Sequence, residues 1–239
     1  MFDAAFAAGL ACIGLLVCVW YIRFSTGCRG QALPDGAVVV ITGCSAGIGA
    51  ELARRYASSG CNLHLCARRQ PELDKVAKEC RLLGAASVST SAVDVSNKGQ
   101  CDKFIDEVKD AHGQLDVLIC NAGQGQSFFL DSDGECDEQA YRRFMDVNFY
   151  GCVWCTTRAM PLLEKSKGRI VVVSSLGGLV PFPRQTLYNA SKFALTGFFD
   201  TLRIELLARR SPVSITLVCP SFVTTEMTTA ALLAQLGVA

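Results

Sequence analysis

Tyr188 and Lys192 stand four residues apart in Tyr188-Asn189-Ala190-Ser191-Lys192. They open a segment whose apolar residues (Phe193, Leu195, Phe198, Phe199, Leu202, Ile204, Leu206) suit a largely buried helix. On a helix the two side chains share one face. An ammonium beside a phenol favours the phenolate. At about 4 Å and an effective dielectric of about 20 the attraction is about 4 kcal/mol. That would draw a phenol from about 10 toward about 7, where it exchanges protons near neutral pH. Spacing alone is weak support, because amphipathic helices produce such pairs by chance. Its weight comes from Ser175, placed where the β-branched run Ile170–Val173 should end, and from what precedes it in the chain.

The preceding motif is a glycine-rich turn. Ala37–Ile41 (AVVVI) is a continuous apolar run, the pattern of a parallel strand buried on both faces. It enters Thr42-Gly43-Cys44-Ser45-Ala46-Gly47-Ile48-Gly49, followed by a helical segment from 50 to 59 that Gly60 stops. Strand, glycine turn and helix together are the context a nucleotide-binding fingerprint requires. Gly43 permits the tight turn, Gly47 lets backbone approach a pyrophosphate, and Gly49 lets the helix pack on the strand. The spacing is G-x-x-x-G-x-G rather than G-x-G-x-x-G. A second strand, Asn62–Ala67, ends in Arg68-Arg69. NAD-preferring sites carry a carboxylate there for the ribose 2′-hydroxyl. Two guanidiniums pair instead with a 2′-phosphate, which predicts NADP(H). His64, within this strand, reads as a satisfied structural histidine.

These motifs need elements to carry them, and the remaining pattern supplies them. A helix is expected over 71–83, a strand over 86–93, a helix over 98–112 and a strand over 115–120. Asp94 follows the third strand, placed to meet an adenine or to cap the next helix. Asn121-Ala122-Gly123 follows the fourth. After a polar loop over 124–139, a long helix over 140–163 carries Asn148. A mid-helix Asn is unfavourable by propensity, so it marks a kink, a core hydrogen bond or a site residue. A sixth strand, Ser214–Val218, leads into Cys219-Pro220-Ser221-Phe222-Val223-Thr224-Thr225. The alternation predicts an α/β fold, a doubly wound parallel sheet with helices on both faces, and a ligand at the carboxyl ends of the strands.

Length and charge bound the rest. The 239 residues hold one domain of this type, over 37–239, and a net charge of +1 gives no support to a nucleic-acid partner. Thirteen dispersed cysteines read as buried reduced thiols. Cys152-Val-Trp-Cys155, the one CxxC, reads as helix packing, and no metal site is expected. Residues 4–22 carry no charge. As a helix they would span about 28 Å, close to the bilayer core, with Trp20 and Tyr21 at one interface. This predicts a membrane anchor over 1–24 and a linker over 25–36. Arg23 and Arg29 place the domain on the cytosolic side.

The chain resembles the short-chain dehydrogenase/reductase family from Ala37 to about Glu226. The resemblance rests on Thr42-Gly43-x-x-x-Gly47-Ile48-Gly49, Asn121-Ala122-Gly123, Asn148, Ser175, Tyr188-x-x-x-Lys192 and the turn at Pro220. It implies Tyr188 as general acid/base, and Lys192 lowering its pKa while holding the nicotinamide ribose. It also implies Ser175 on the substrate oxygen and Asn148 in a proton relay. The implied cofactor site comprises Gly43, Ser45, Gly47, Ile48, Gly49, Arg68, Arg69, Asp94, Val95, Asn121, Ala122, Gly123, Tyr188, Lys192, Pro220, Val223 and Thr225. PFPRQTLYNASK and GFFDTLRIEL are similar to the membrane-bound dehydrogenase/reductase 7 and 7B branch. Val93-Asp94-Val95-Ser96 and Ala190-Ser191-Lys192-Phe193-Ala194 are similar to 3-ketodihydrosphingosine reductases. Both imply a lipophilic carbonyl or alcohol substrate (steroid, retinoid or sphingoid), an endoplasmic-reticulum membrane and a possible homodimer. Ser221 departs from the family's usual Gly. The chain stops at Ala239, where relatives continue through a substrate-covering segment, so the alternative is a catalytically idle NADP-binding or scaffold protein.

Overall fold

Continuous Val/Ile/Leu runs can be satisfied only where a strand is covered on both faces, and that is where they lie. The computed structural model describes residues 32–125, 138–226 and 228–229. Six strands, β1 (Val38–Thr42), β2 (Asn62–Ala67), β3 (Ser87–Ala92), β4 (Val117–Cys120), β5 (Arg169–Val173) and β6 (Ser214–Val218), form one sheet. Their order is β3-β2-β1-β4-β5-β6, and every pairing is parallel. Order reverses between β1 and β4, which opens a crevice at their carboxyl ends. All residues of β1 and β4 are buried, whereas edge strand β3, with its Ser and Thr residues, has no fully buried residue. Each fully buried aliphatic of the central strands contributes roughly 1.5–3 kcal/mol.

Helices α1 (Gly47–Ala57), α2 (Gln70–Leu82), α3 (Lys98–His112), α4 (Glu138–Met145), α5 (Gly151–Ser166) and α6 (Thr186–Ala208) complete the fold. Because side chains alternate along a strand, Val38, Val40 and Leu118 face one layer. There they pack with Phe104 and Ile105 of α3, Cys155 and Leu163 of α5, and Leu195 and Phe199 of α6. Helices α1 and α2 pack on the other side, against β1, β2 and β3. The doubly wound α/β architecture is therefore as expected. The helix expected over 140–163 is instead two helices joined by a π-helical turn, Asp146–Tyr150, with Asn148 at its centre. Asn97 caps α3, its side chain accepting from the Gln100 amide at 3.0 Å, and Gly113 closes the helix in the left-handed region. Asp94 is not that cap. Its carboxylate accepts from the Ser96 amide and hydroxyl at 3.0 and 2.8 Å.

His64 has the structural role expected of it. Its Nδ1 lies 2.7 Å from the Ser89 hydroxyl and its ring meets His112 edge-on at 5.0 Å. Burial, with His112 adding to it, lowers its pKa to about 4. Eight of the nine described cysteines are buried free thiols, Cys152 and Cys155 among the core residues. Burial pushes Cys44 up to about 12, so it is a packing residue and not a nucleophile. Among the described residues no helix is long and apolar enough to cross a membrane, and the expected span over 4–22 lies outside them.

Candidate active site

The glycine turn is held by the strand beside it. Thr42 Oγ1, at the end of β1, accepts from the Asn121 and Ala122 amides at 3.0 and 3.1 Å. In return Asn121 Nδ2 donates to the carbonyls of Thr42 and Gly43, each at 3.0 Å. The two strand ends are thus laced so closely that side chains have no room. A Cβ on Gly43 would stand 2.6 Å from Ala122 Cα, and one on Gly49 2.4 Å from Asn121 Nδ2. Gly43 also has φ +69°, a left-handed conformation. Thr42 was not among the residues expected at the site; a hydroxyl at a strand end before the glycine turn was the available signal.

Helix α1 starts at Gly47, three residues earlier than its apolar pattern suggests. Its N-cap, Ala46, supplies no side-chain acceptor, and no acidic residue lies in the first turn. The first amides and the positive end of the helix dipole therefore face the crevice, an arrangement that suits a pyrophosphate. The crevice has a volume of about 470 Å³, within the range of ligand pockets. Its walls include every residue expected at the site except Gly49 and Asn148, which stand behind them. Arg68 and Arg69 follow β2, while Ser175 follows β5. The sheet order thus sets the guanidinium pair and the Ser175, Tyr188 and Lys192 group on opposite sides of the β1–β4 switch point, all lining the crevice. A backbone cradle that a Cβ would fill, an uncapped helix terminus and a pair of guanidiniums together fit a phosphorylated dinucleotide.

At the far end, the π turn aims Asn148 inward. The side chain is fully buried, accepts from the Gln124 amide at 2.7 Å, and donates to the Gln124 carbonyl at 3.1 Å and Ser191 Oγ at 2.9 Å. Ser191 donates on to the Tyr188 carbonyl at 2.7 Å. Asn148 is therefore a kink and a core hydrogen-bonder, one step removed from the crevice. Gly123 makes room for it: a Cβ there would meet Asn148 Oδ1 at 3.3 Å and Lys192 Nζ at 3.7 Å. Ser191 and Gln124 were not anticipated, since their role depends on a partner on another element.

The electrostatics of Tyr188 overturn the sequence expectation. Burial raises the phenol above its ordinary value, and a hydrogen bond with Ser175 offsets this only in part. Lys192 does not reverse the balance. Its Nζ donates to the Val173 carbonyl at 3.0 Å and lies 5.7 Å from the Tyr188 ring centroid, over the ring. Burial also lowers the pKa of the lysine itself. The shared helix face is real, but desolvation of the phenolate outweighs attraction to an amine that is itself desolvated.

Comparison with known proteins agrees with this geometry. The family model described as short chain dehydrogenase matches residues 37–235. An 11-beta-hydroxysteroid dehydrogenase of Pinus massoniana is 40% identical over 211 residues, 88% of this chain and 57% of that protein. An 11-beta-hydroxysteroid dehydrogenase-like 2 of Arabidopsis thaliana is 44% identical over 216 residues, 90% of this chain and 66% of that protein. The chain thus spans between about half and two thirds of the length of these relatives. Among solved structures, a short chain dehydrogenase/reductase from Burkholderia phymatum in complex with NAD superposes with a TM-score of 0.78 at 30% identity, covering 87% of this chain and 74% of that one. An alcohol dehydrogenase from Thermococcus sibiricus complexed with 5-hydroxy-NADP gives 0.71 at 29%, covering 78% and 77%. The sheet order, the laced glycine turn and the extent of these matches lead to one assignment: the chain belongs to the short-chain dehydrogenase family.

Proposed function

We propose that this chain carries the hydride-transfer site of an NADP(H)-dependent oxidoreductase acting on a lipophilic carbonyl or alcohol. The observation that carries the reading is that Tyr188 and Ser175 line the same crevice as the glycine turn and the Arg68-Arg69 pair. The names of the relatives favour a steroid over a retinoid or sphingoid substrate. In this reading the amides of the first turn of α1 hold the pyrophosphate, Arg68 and Arg69 hold the 2′-phosphate, and Lys192 holds the nicotinamide ribose. NADP(H), when bound, supplies the hydride. Tyr188 delivers a proton to the substrate oxygen while Ser175, hydrogen-bonded to it, orients that oxygen. A phenol kept protonated by burial is the form that reduction consumes. Asn148 is a positioning residue, holding Gln124 and, through Ser191, the Tyr188 backbone.

The test is purified full-length chain with NADPH or NADH and a panel of an 11-keto steroid, retinaldehyde and a 3-ketosphingoid base. Ketone-dependent NADPH consumption at least about tenfold faster than with NADH is expected, with the steroid turned over fastest and the preference lost in Arg68→Ala. NADPH binding without turnover of any ketone would leave a nucleotide-binding scaffold instead.

The uncharged run over 4–22 completes the proposal as a membrane anchor, with the domain facing the cytosol. The full chain expressed in cells should stay in the membrane pellet after alkaline carbonate extraction, and a chain starting at residue 25 should not. Full release of the intact chain would refute the anchor.

A further inference from the structure

Arg69 Nη2 donates to Glu226 Oε2 at 3.1 Å and to Ser45 Oγ at 3.3 Å. The three side chains come from the end of β2, the segment after β6 and the glycine turn, and all three line the crevice. The contact therefore crosses the end of the crevice where a 2′-phosphate is expected. Arg68, its neighbour, has no carboxylate partner among the described residues. So of the two guanidiniums read as phosphate ligands, one already holds an anion supplied by the chain.

The segment that carries Glu226 is tied together by hydrogen bonds between the residues on either side of it. The Thr225 amide donates to Thr228 Oγ1 at 2.9 Å and the Thr228 amide to Thr225 Oγ1 at 3.3 Å, a reciprocal pair that brackets Glu226. Thr228 Oγ1 also donates to the Val223 carbonyl at 2.5 Å. The Thr225 methyl stands 3.3 Å from where a Cβ on Gly47 would be, so the segment lies against the glycine turn. Both partners of the ion pair remain partly exposed, Arg69 at 49% and Glu226 at 70%. A pair this exposed is weak enough for a stronger anion to displace. A phosphate with about two negative charges binds a guanidinium more strongly than a carboxylate does.

We propose that Glu226 is a specificity-determining residue of the adenosine end: its carboxylate competes with a ribose 2′-phosphate for Arg69 and so sets how strongly the chain prefers NADPH over NADH. This rests on the NADP(H) reading above. NADPH must separate Arg69 from Glu226 and then tolerate the freed carboxylate nearby. NADH brings no charge to that point and leaves the pair intact. The carboxylate therefore discounts NADPH alone and narrows the discrimination that Arg68 and Arg69 provide.

Isothermal titration of the full chain with NADPH and with NADH tests this without recourse to turnover. Glu226→Gln keeps the side-chain shape and removes the charge. It should tighten NADPH by roughly three- to tenfold and leave NADH within about twofold. In an Arg69→Ala background the same substitution should gain less than about twofold for NADPH, because nothing is left to compete for. Equal tightening of both nucleotides would overturn the proposal in favour of a general loosening of the segment. So would an unchanged NADPH affinity, or a gain that survives undiminished without Arg69. Failure of the NADP(H) reading looks different and is visible first: the unsubstituted chain binds both nucleotides equally, and Arg68→Ala and Arg69→Ala change neither.

Discussion

Tyr188→Phe should slow the proposed ketone reduction by about 10²–10⁴-fold, the span a positioned general acid supplies, while melting temperature and NADPH affinity should change little. The ring that packs with Ala140, Phe144 and Leu187 is retained, as is the face that Lys192 overlies at 5.7 Å. The hydroxyl goes, and with it its hydrogen bond to Ser175. The direction of the phenol's shift adds a second readout. Burial disfavours the phenolate, so in the cofactor-free protein Tyr188 ionises above the ordinary tyrosine value of about 10. An ultraviolet difference titration of parent against Tyr188→Phe isolates that one group. Reduction, which uses the protonated phenol, should hold steady from neutral into mildly alkaline pH. Oxidation of the alcohol, which needs the phenolate, should rise with pH over the same range. Turnover that survives Tyr188→Phe, or an ionisation below about 8 in the cofactor-free protein, would contradict this account.

Gly43→Ala should be strongly destabilising, because it combines a left-handed backbone with a backbone clash. A left-handed alanine costs about 1–2 kcal/mol. A methyl 2.6 Å from Ala122 Cα and 2.9 Å from Ala122 N meets backbone that cannot rotate away, which adds about 1–3 kcal/mol of overpacking. The sum, roughly 2–5 kcal/mol, is a large part of the stability of an ordinary domain. NADPH binding should weaken with it, because pushing β1 and β4 apart breaks the Thr42–Asn121 lacing that shapes the turn. Gly60→Ala is the matched control. Gly60 has nearly the same φ, +68°, but nothing lies within 4 Å of its added Cβ, so it pays the conformational cost alone. Denaturant titrations of the two variants separate the terms. Equal losses would mean that the close approach at Ala122 is not what holds the turn.

What could be read from the residues in order, and what could not, divides along the range of the interaction. Continuous β-branched runs such as Val38–Ile41 and Ile170–Val173 specify buried parallel strands, because alternating a polar face out would waste them. Their alternation with helices leaves little freedom in topology, and the observed β3-β2-β1-β4-β5-β6 order follows. Glycine spacing locates the turn, and the i, i+4 step puts Tyr188 beside Lys192, since both are local geometry. The rest depends on residues far apart in the chain. Whether the phenol is made more or less acidic depends on how much water the folded chain leaves around it, and a spacing carries no measure of desolvation. Asn148 becomes a bridge only when the π turn brings it to Gln124 and Ser191. Arg69 looks like a free phosphate ligand until Glu226, 157 positions later, is folded against it. Pattern determines which elements form and where their ends meet, because backbone hydrogen bonding and side-chain period are local. Tertiary packing decides the sign of each charge effect, because burial and long-range pairing set the local dielectric and the partner.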